Sequence, residues 1–200
     1  MSAPLPIVMA ITGASGAPYA VRLLHALANA AQPVWLIVSS HGWRLLQTES
    51  SVHDLESLRA HVGEDAWDAN VTVFDDNDRG ATPASGSAKV RAMVIVPCSM
   101  GTIASVAAGT SRSLVERAAD VSLKERRPLI VVPRETPFSR IHLENMLRLT
   151  DAGAVVLPAA PGFYHRPERV DQLVDFVVQR ILDQLHVDVN IAPRWGDSAE

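Results

Sequence analysis

Hydrophobic residues fall in short, nearly unbroken runs at 7–11, 34–38, 71–74, 93–96, 129–132 and 154–157. The runs are rich in valine and isoleucine and alternate little with polar residues. Strands buried on both faces of a parallel sheet have this pattern. Stretches with helical spacing lie between most of them. Residues 17–28 put Val21, Leu24, Leu27 and Ala28 on one side; 113–126 do the same with Leu114, Ala118, Val121 and Leu123. Residues 141–149 and 170–185 behave similarly. Strand and helix alternate, which predicts an α/β fold: a doubly wound, mostly parallel sheet with helices on both faces. Such sheets bind ligands beyond the carboxyl ends of their strands. The residues that follow the runs are glycine, serine, threonine, proline and a few charges, an unusually polar rim for so apolar a set of strands.

Composition narrows the class. The chain has 200 residues, enough for one ordinary domain, with 18 basic and 22 acidic side chains and a net charge of −4. A mildly acidic chain is a poor candidate for non-specific nucleic-acid binding. The single cysteine excludes an internal disulfide. No apolar run approaches the roughly 20 residues of a membrane span, and the first run lacks the basic flank of a signal peptide. A cytoplasmic protein is the expectation, with a single domain over 1–185 and a C-terminal tail over 186–200.

Gly13-Ala14-Ser15-Gly16 follows the first run and opens the first helix. Glycine lets backbone approach a phosphate, and helix-start amides favour an anion. The plainer account is a tight turn with Ser15 as helix cap. The spacing is not G-x-G-x-x-G, so NAD is not favoured. Pro97-Cys98-Ser99-Met100-Gly101-Thr102 makes a second hydroxyl-rich turn, after the fourth run. Cys98 is expected to be a small buried residue, since no neighbouring cation would lower its pKa.

Arg117 and Lys124 share one helix with acidic neighbours, which as a mixture reads as a solvated face. They and Arg134 are also candidates to converge at the sheet edge. Lysine occurs only at Lys89 and Lys124, so arginine dominates, as bidentate grips on phosphate require. Glu135, beside Arg134, is either an acid/base group or half of an ion pair; Glu49 points either way. Residues 158–165 form a proline-rich loop ending in Phe163 and Tyr164. Arg180 interrupts an apolar helix and reads as a snorkelling residue or a ligand contact. No His-x-x-x-His or Cys-x-x-Cys spacing supports a metal site.

On these motifs the chain resembles the UbiX-type flavin prenyltransferases, formerly described as aromatic-acid decarboxylases. The matching stretches are 12–16, 84–87, 97–102, 116–128, 132–137, 142–147 and 153–164, with Pro193-Arg194-Trp195 near the end. The resemblance implies FMN as the bound flavin, its reduced form as substrate and prenylated FMN as product. The donor is dimethylallyl phosphate, whose prenyl group is joined to flavin N5 and C6. The product serves a UbiD-type decarboxylase, as in ubiquinone biosynthesis, and the assembly is a homododecamer. The resemblance assigns Gly13, Ala14, Ser15, Ser39, Ser99, Met100, Gly101, Thr102 and Arg134 to FMN. It assigns Ser85, Arg117, Lys124, Tyr164 and Arg180 to the donor. Ser15, Glu49, Lys124, Glu135 and Trp195 take the catalytic roles, with no metal.

Two other readings share the fold: an FMN-dependent cysteine-type decarboxylase, and a flavin carrier without catalysis. The first calls for an early active-site histidine and an Asn-Met substrate motif, neither of which stands in the expected form. The second has no use for Arg117, Lys124 and Arg180.

Overall fold

The computed structural model describes residues 4–194 and 196. Strands β1 (Ile7–Ile11), β2 (Val34–Val38), β3 (Val71–Phe74), β4 (Ala92–Cys98), β5 (Leu129–Pro133) and β6 (Val155–Val156) form one parallel sheet in the order β3-β2-β1-β4-β5-β6. The predicted runs match these strands, with β4 longer and β6 shorter than expected. The order reverses between β1 and β4. In a doubly wound sheet that switch point opens a crevice at the carboxyl edge.

The unbroken runs serve two cores at once. Ile7, Met9 and Ile11 point to one face and Val8 and Ala10 to the other, all essentially buried. The first face is covered by α1 (Ala17–Asn29), α2 (Ser40–Ser50), α3 (Leu55–Val62), α4 (Glu64–Asn70) and α8 (Val170–Gln184). The second is covered by α5 (Met100–Ala108), α6 (Leu114–Lys124) and α7 (Arg140–Asp151). Helix α1 buries Ala20, Leu23, Leu24 and Leu27, a stripe at helical spacing that seats it on the sheet. Asp175 of α8 accepts from Arg22 Nε at 2.5 Å, tying α8 to α1.

Helices α2, α3 and α4 were not anticipated by the apolar spacing. Their buried residues are few: Gly42 and Leu46 in α2, Leu58 and Val62 in α3, Trp67 in α4. Among the described residues no helix is long and apolar enough to cross a membrane.

Candidate functional site

Thr12 holds the crevice together. Its hydroxyl donates to Pro97 O at 2.9 Å and accepts from Ser99 N at 2.9 Å, so the ends of β1 and β4 are stitched across the switch point. Thr12 is buried, and the bonds satisfy a hydroxyl that would otherwise be costly there. Ser99 caps α5: its Oγ accepts from Thr102 N at 3.1 Å and lies 3.0 Å from Thr102 Oγ1. Ser39 caps α2 in the same way, accepting from Gly42 N at 3.1 Å. Both serines therefore act as plain helix caps. The capping also turns the starts of α2 and α5 toward the carboxyl edge, where their dipoles favour an anion. Met100 is buried and Gly101 exposed at the start of α5.

The first glycine turn differs from expectation. Ser15 is not the cap of α1; Gly16 occupies the cap position, at φ 125°, and makes no side-chain cap. Glu49 reaches in from the end of α2 instead. One of its carboxylate oxygens accepts from Gly16 N at 2.7 Å and Ala17 N at 2.9 Å. These two helix-start amides are thus already taken by an anion of the protein, and they are not open to a ligand phosphate. Burial pushes the Glu49 carboxyl up, but the bonds from Gly16, Ala17 and the Ser15 hydroxyl, with the charge of Arg134, hold it below the usual carboxylate range. Ser15 therefore presents a hydroxyl backed by an ionised carboxylate. On the other side of the turn Arg134 Nε donates to Ser15 O at 3.2 Å. Gly13 has a packing reason beyond ligand approach: a Cβ there would stand 2.5 Å from His41 Cβ. Glu135 lies partly buried beyond β5, and its Oε1 accepts from Thr136 N at 3.0 Å.

The loop over 158–169 leaves the same edge. Leu157 N and Ala159 N donate to Val131 O and Pro133 O, so the loop starts beside Arg134. Tyr164 meets the rings of His165 and Phe176 edge-on at 5.5 and 5.7 Å, while those two rings stack in parallel at 5.6 Å. Phe176 belongs to α8. Tyr164, Phe176 and Arg180 line a cavity of about 380 Å³ together with Asp183 and the tail residues Pro193 and Arg194. Arg180 is exposed, and its NH1 donates to Asp183 Oδ2 at 3.0 Å. Trp195 lies outside the described residues.

Lys124 does not join this edge within one chain. Lys124 ends α6, four residues before Pro128, whose carbonyl pairs with Met93 N at the amino end of the sheet. Strand β5 alone separates the two edges by roughly 15 Å. Lys124 is ion-paired to Glu125 and lies against Gly86; Arg117 pairs with Asp120 at 2.8 Å. Ser85, next to Gly86, bonds Ser87 Oγ at 2.9 Å. The expected convergence of Lys124 with Arg134 is thus absent within a single chain, and the Arg117 guanidinium is engaged by Asp120. Sequence reasoning also passed over Thr12 as a stitch, Phe176 as a platform and Asp183 as a partner of Arg180. The i, i+3 spacing of Arg180 and Asp183 was the one available signal. Cys98 is fully buried, and burial pushes its thiol far up, so it is no nucleophile. Among the described residues no group of three or more His, Cys, Asp or Glu side chains is placed to hold a metal ion.

A switch-point crevice rimmed by capped helix starts, on a sheet of this order, is the architecture of doubly wound α/β nucleotide-binding proteins. Over residues 1–182 the chain matches the family described as Flavoprotein. It is 51% identical to the flavin prenyltransferase UbiX of Pseudomonas aeruginosa, over 98% of this chain and 97% of that one. A crystal structure of AnUbiX (PadA1) in complex with FMN and dimethylallyl pyrophosphate superposes with a TM-score of 0.90 at 38% identity, covering 98% and 99% of the two chains. A dodecameric FMN-dependent UbiX-like decarboxylase from Escherichia coli O157:H7 gives 0.87 at 39%, covering 96% and 99%. The chain belongs to the UbiX flavin prenyltransferases.

Proposed function

We propose that the chain transfers a dimethylallyl group from dimethylallyl phosphate to reduced FMN, forming prenylated FMN. The observation that carries this reading is that one chain holds two sites, a crevice at the carboxyl edge of the sheet and a cavity along α8 that the loop over 158–169 connects to that edge. One is a crevice with two helix starts open to an anion. The other is an arginine-lined cavity walled by aromatic rings. The first suits a flavin phosphate, the second a prenyl phosphate.

The starts of α2 and α5, with Ser39 and Ser99–Thr102, would hold the flavin phosphate. Glu49 blocks the start of α1 to any second anion, which leaves Gly13, Ala14, Ser15 and Arg134 to the ring system. The bound reduced flavin supplies nucleophilic N5 and C6. Tyr164 and Arg180 orient the donor; the guanidinium offsets negative charge on the departing phosphate. The Tyr164 face suits a developing allylic cation. Joining N5 to the prenyl carbon breaks the carbon–phosphate oxygen bond and frees the N5 proton; closing the second bond from C6 takes one proton onto the prenyl double bond and releases one from C6. The ionised Glu49 carboxylate, hydrogen-bonded to the Ser15 hydroxyl, can take up a proton delivered through that hydroxyl. Glu135 and Trp195 keep their assignments as proposals, Glu135 as a second acid/base group at this edge.

Lys124, Arg117 and Ser85 are not among the described residues that line the cavity at Tyr164 and Arg180, so a second copy would supply them to a donor bound there. Helix α7 supports assembly: Ile141, Leu143 and Leu147 are 68%, 52% and 60% exposed, more apolar surface than an isolated helix face usually shows. A dodecamer with shared sites, and a UbiD-type decarboxylase as recipient of the product, complete the reading. Both substrates are phosphorylated and do not cross membranes unaided, which supports a cytoplasmic location.

The test is anaerobic incubation with reduced FMN and dimethylallyl phosphate, followed by mass spectrometry of the released flavin. A flavin heavier by one five-carbon unit is expected. Unmodified FMN with intact donor would leave only a flavin carrier.

A further inference from the structure

The donor cavity holds more positive charge than the arginine already assigned to it. Arg194, in the C-terminal tail, lines the same cavity as Tyr164 and Arg180. Its NH2 and NH1 donate to Asp183 Oδ1 and Oδ2 at 2.8 and 3.2 Å, a two-pronged grip on the carboxylate that Arg180 also holds. Among the described residues the other lining side chains are uncharged, so there two guanidinium groups share one carboxylate. Burial pushes the Asp183 carboxyl up, but the bonds from Arg194 and Gln179 and the charges of both arginines hold it below the usual range. Both arginine side chains remain about half exposed and face the same cavity.

The position of Arg194 is built rather than incidental. Gln179 is 3% exposed, and its amide bridges α8 to the tail. Its Oε1 accepts from Ile191 N at 2.7 Å, and its Nε2 donates to Val189 O and Asp183 Oδ1 at 3.0 Å each. A buried amide satisfied on three sides fixes the tail backbone two residues before Pro193. Arg194 is thereby set beside Arg180 before any ligand arrives, which reduces the ordering cost of binding.

We propose that Arg194 is a second phosphate-binding residue of the donor cavity, and that Asp183 holds the two arginines in place until the donor phosphate joins them. The proposal rests on the reading that the donor lies at Tyr164 and Arg180. A phosphate monoester carries nearly two negative charges at neutral pH. One guanidinium leaves much of that charge uncompensated; two flanking it offset most of it, and the benefit grows as the bond to carbon breaks.

Inorganic phosphate is titrated calorimetrically into the FMN-loaded protein, and single-turnover prenylation is followed against dimethylallyl phosphate concentration. The variants are Arg180→Gln, Arg194→Gln and Arg194→Lys. Arg194→Gln is expected to weaken phosphate binding at least tenfold and to raise the half-saturating donor concentration by a similar factor, with Arg194→Lys recovering part of both. If Arg194→Gln binds phosphate like the wild type while Arg180→Gln does not, the inference fails and the donor site stands. A slower saturating rate with unchanged phosphate binding would make Arg194 a tail anchor only, and also overturns it. If neither arginine variant alters phosphate binding or donor dependence, the donor site itself is misplaced and the inference falls with it.

Discussion

Glu49 shows how one side chain changes what a motif can do. Gly13-Ala14-Ser15-Gly16 reads as an anion-binding helix start, yet the anion there is the protein's own carboxylate, drawn from the far end of α2. No local pattern connects residue 49 to residue 16; the pairing exists only after α2 has packed. The caps made by Ser39 and Ser99 span only three residues, within reach of a local pattern in a way that the Glu49 pairing is not. Glu49→Gln keeps an acceptor oxygen but loses the charge. It is expected to retain FMN and to slow prenylation by roughly 10²-fold or more, the usual scale for a lost acid/base group. It also loses a charge at a helix start, worth roughly 0.3–1 kcal/mol. Because the folded Glu49 titrates lower than an unfolded one, its stabilising effect is full above the ordinary glutamate value of about 4.3. Below that pH it fades. Denaturant midpoints of wild type and Glu49→Gln should therefore differ at pH 7 and converge as the solution is acidified; a gap that widens in acid would refute the assignment.

Among elements, the sheet was readable because strands buried on both faces need continuous apolar residues, and little else produces such runs. Helices α2–α4 were not, because each buries only one or two residues and carries no stripe. Helix α5 presents its capped start to the crevice, and this predicts a separable pair of effects. Ser99→Ala removes the cap and should cost about 1 kcal/mol of stability. If α5 also faces the flavin phosphate, the same change should weaken FMN binding several-fold, read by quenching of flavin fluorescence. Lost stability with unchanged FMN affinity would return Ser99 to a purely structural role.

At the scale of the whole molecule, the resemblance grouped Lys124 with Arg180, and one chain keeps them on opposite faces of the sheet, Lys124 on α6 and Arg180 on α8. Adjacency in a motif catalogue says nothing about which copy supplies a residue, so this part of the site was not legible in one sequence. A complementation experiment follows. Lys124→Ala and Arg180→Ala homo-oligomers should each be slow, by roughly tenfold or more for a lost charge-assisted contact. Mixed oligomers formed by co-expression should recover part of the rate, since some shared sites then receive both native residues. Mixtures no faster than the mean of the parents would place both residues in one chain's site. The donor cavity relies on arginine for its positive charge, so prenylation should persist in excess chelator; loss of activity restored by Mg²⁺ would contradict that.

The stitch made by Thr12 has a further consequence for folding fidelity. Adjacent residues of β1 fill two different cores, and both cores accept aliphatic side chains. A slip by one position would exchange the faces without exposing a charge, so greasiness alone discriminates poorly between alignments. The hydroxyl of Thr12 supplies that discrimination, because only one alignment brings it between Pro97 O and Ser99 N. The ligand edge is then the ruler against which the strands are set, and a protein that lost its need for the crevice would lose the same group that keeps its sheet in step.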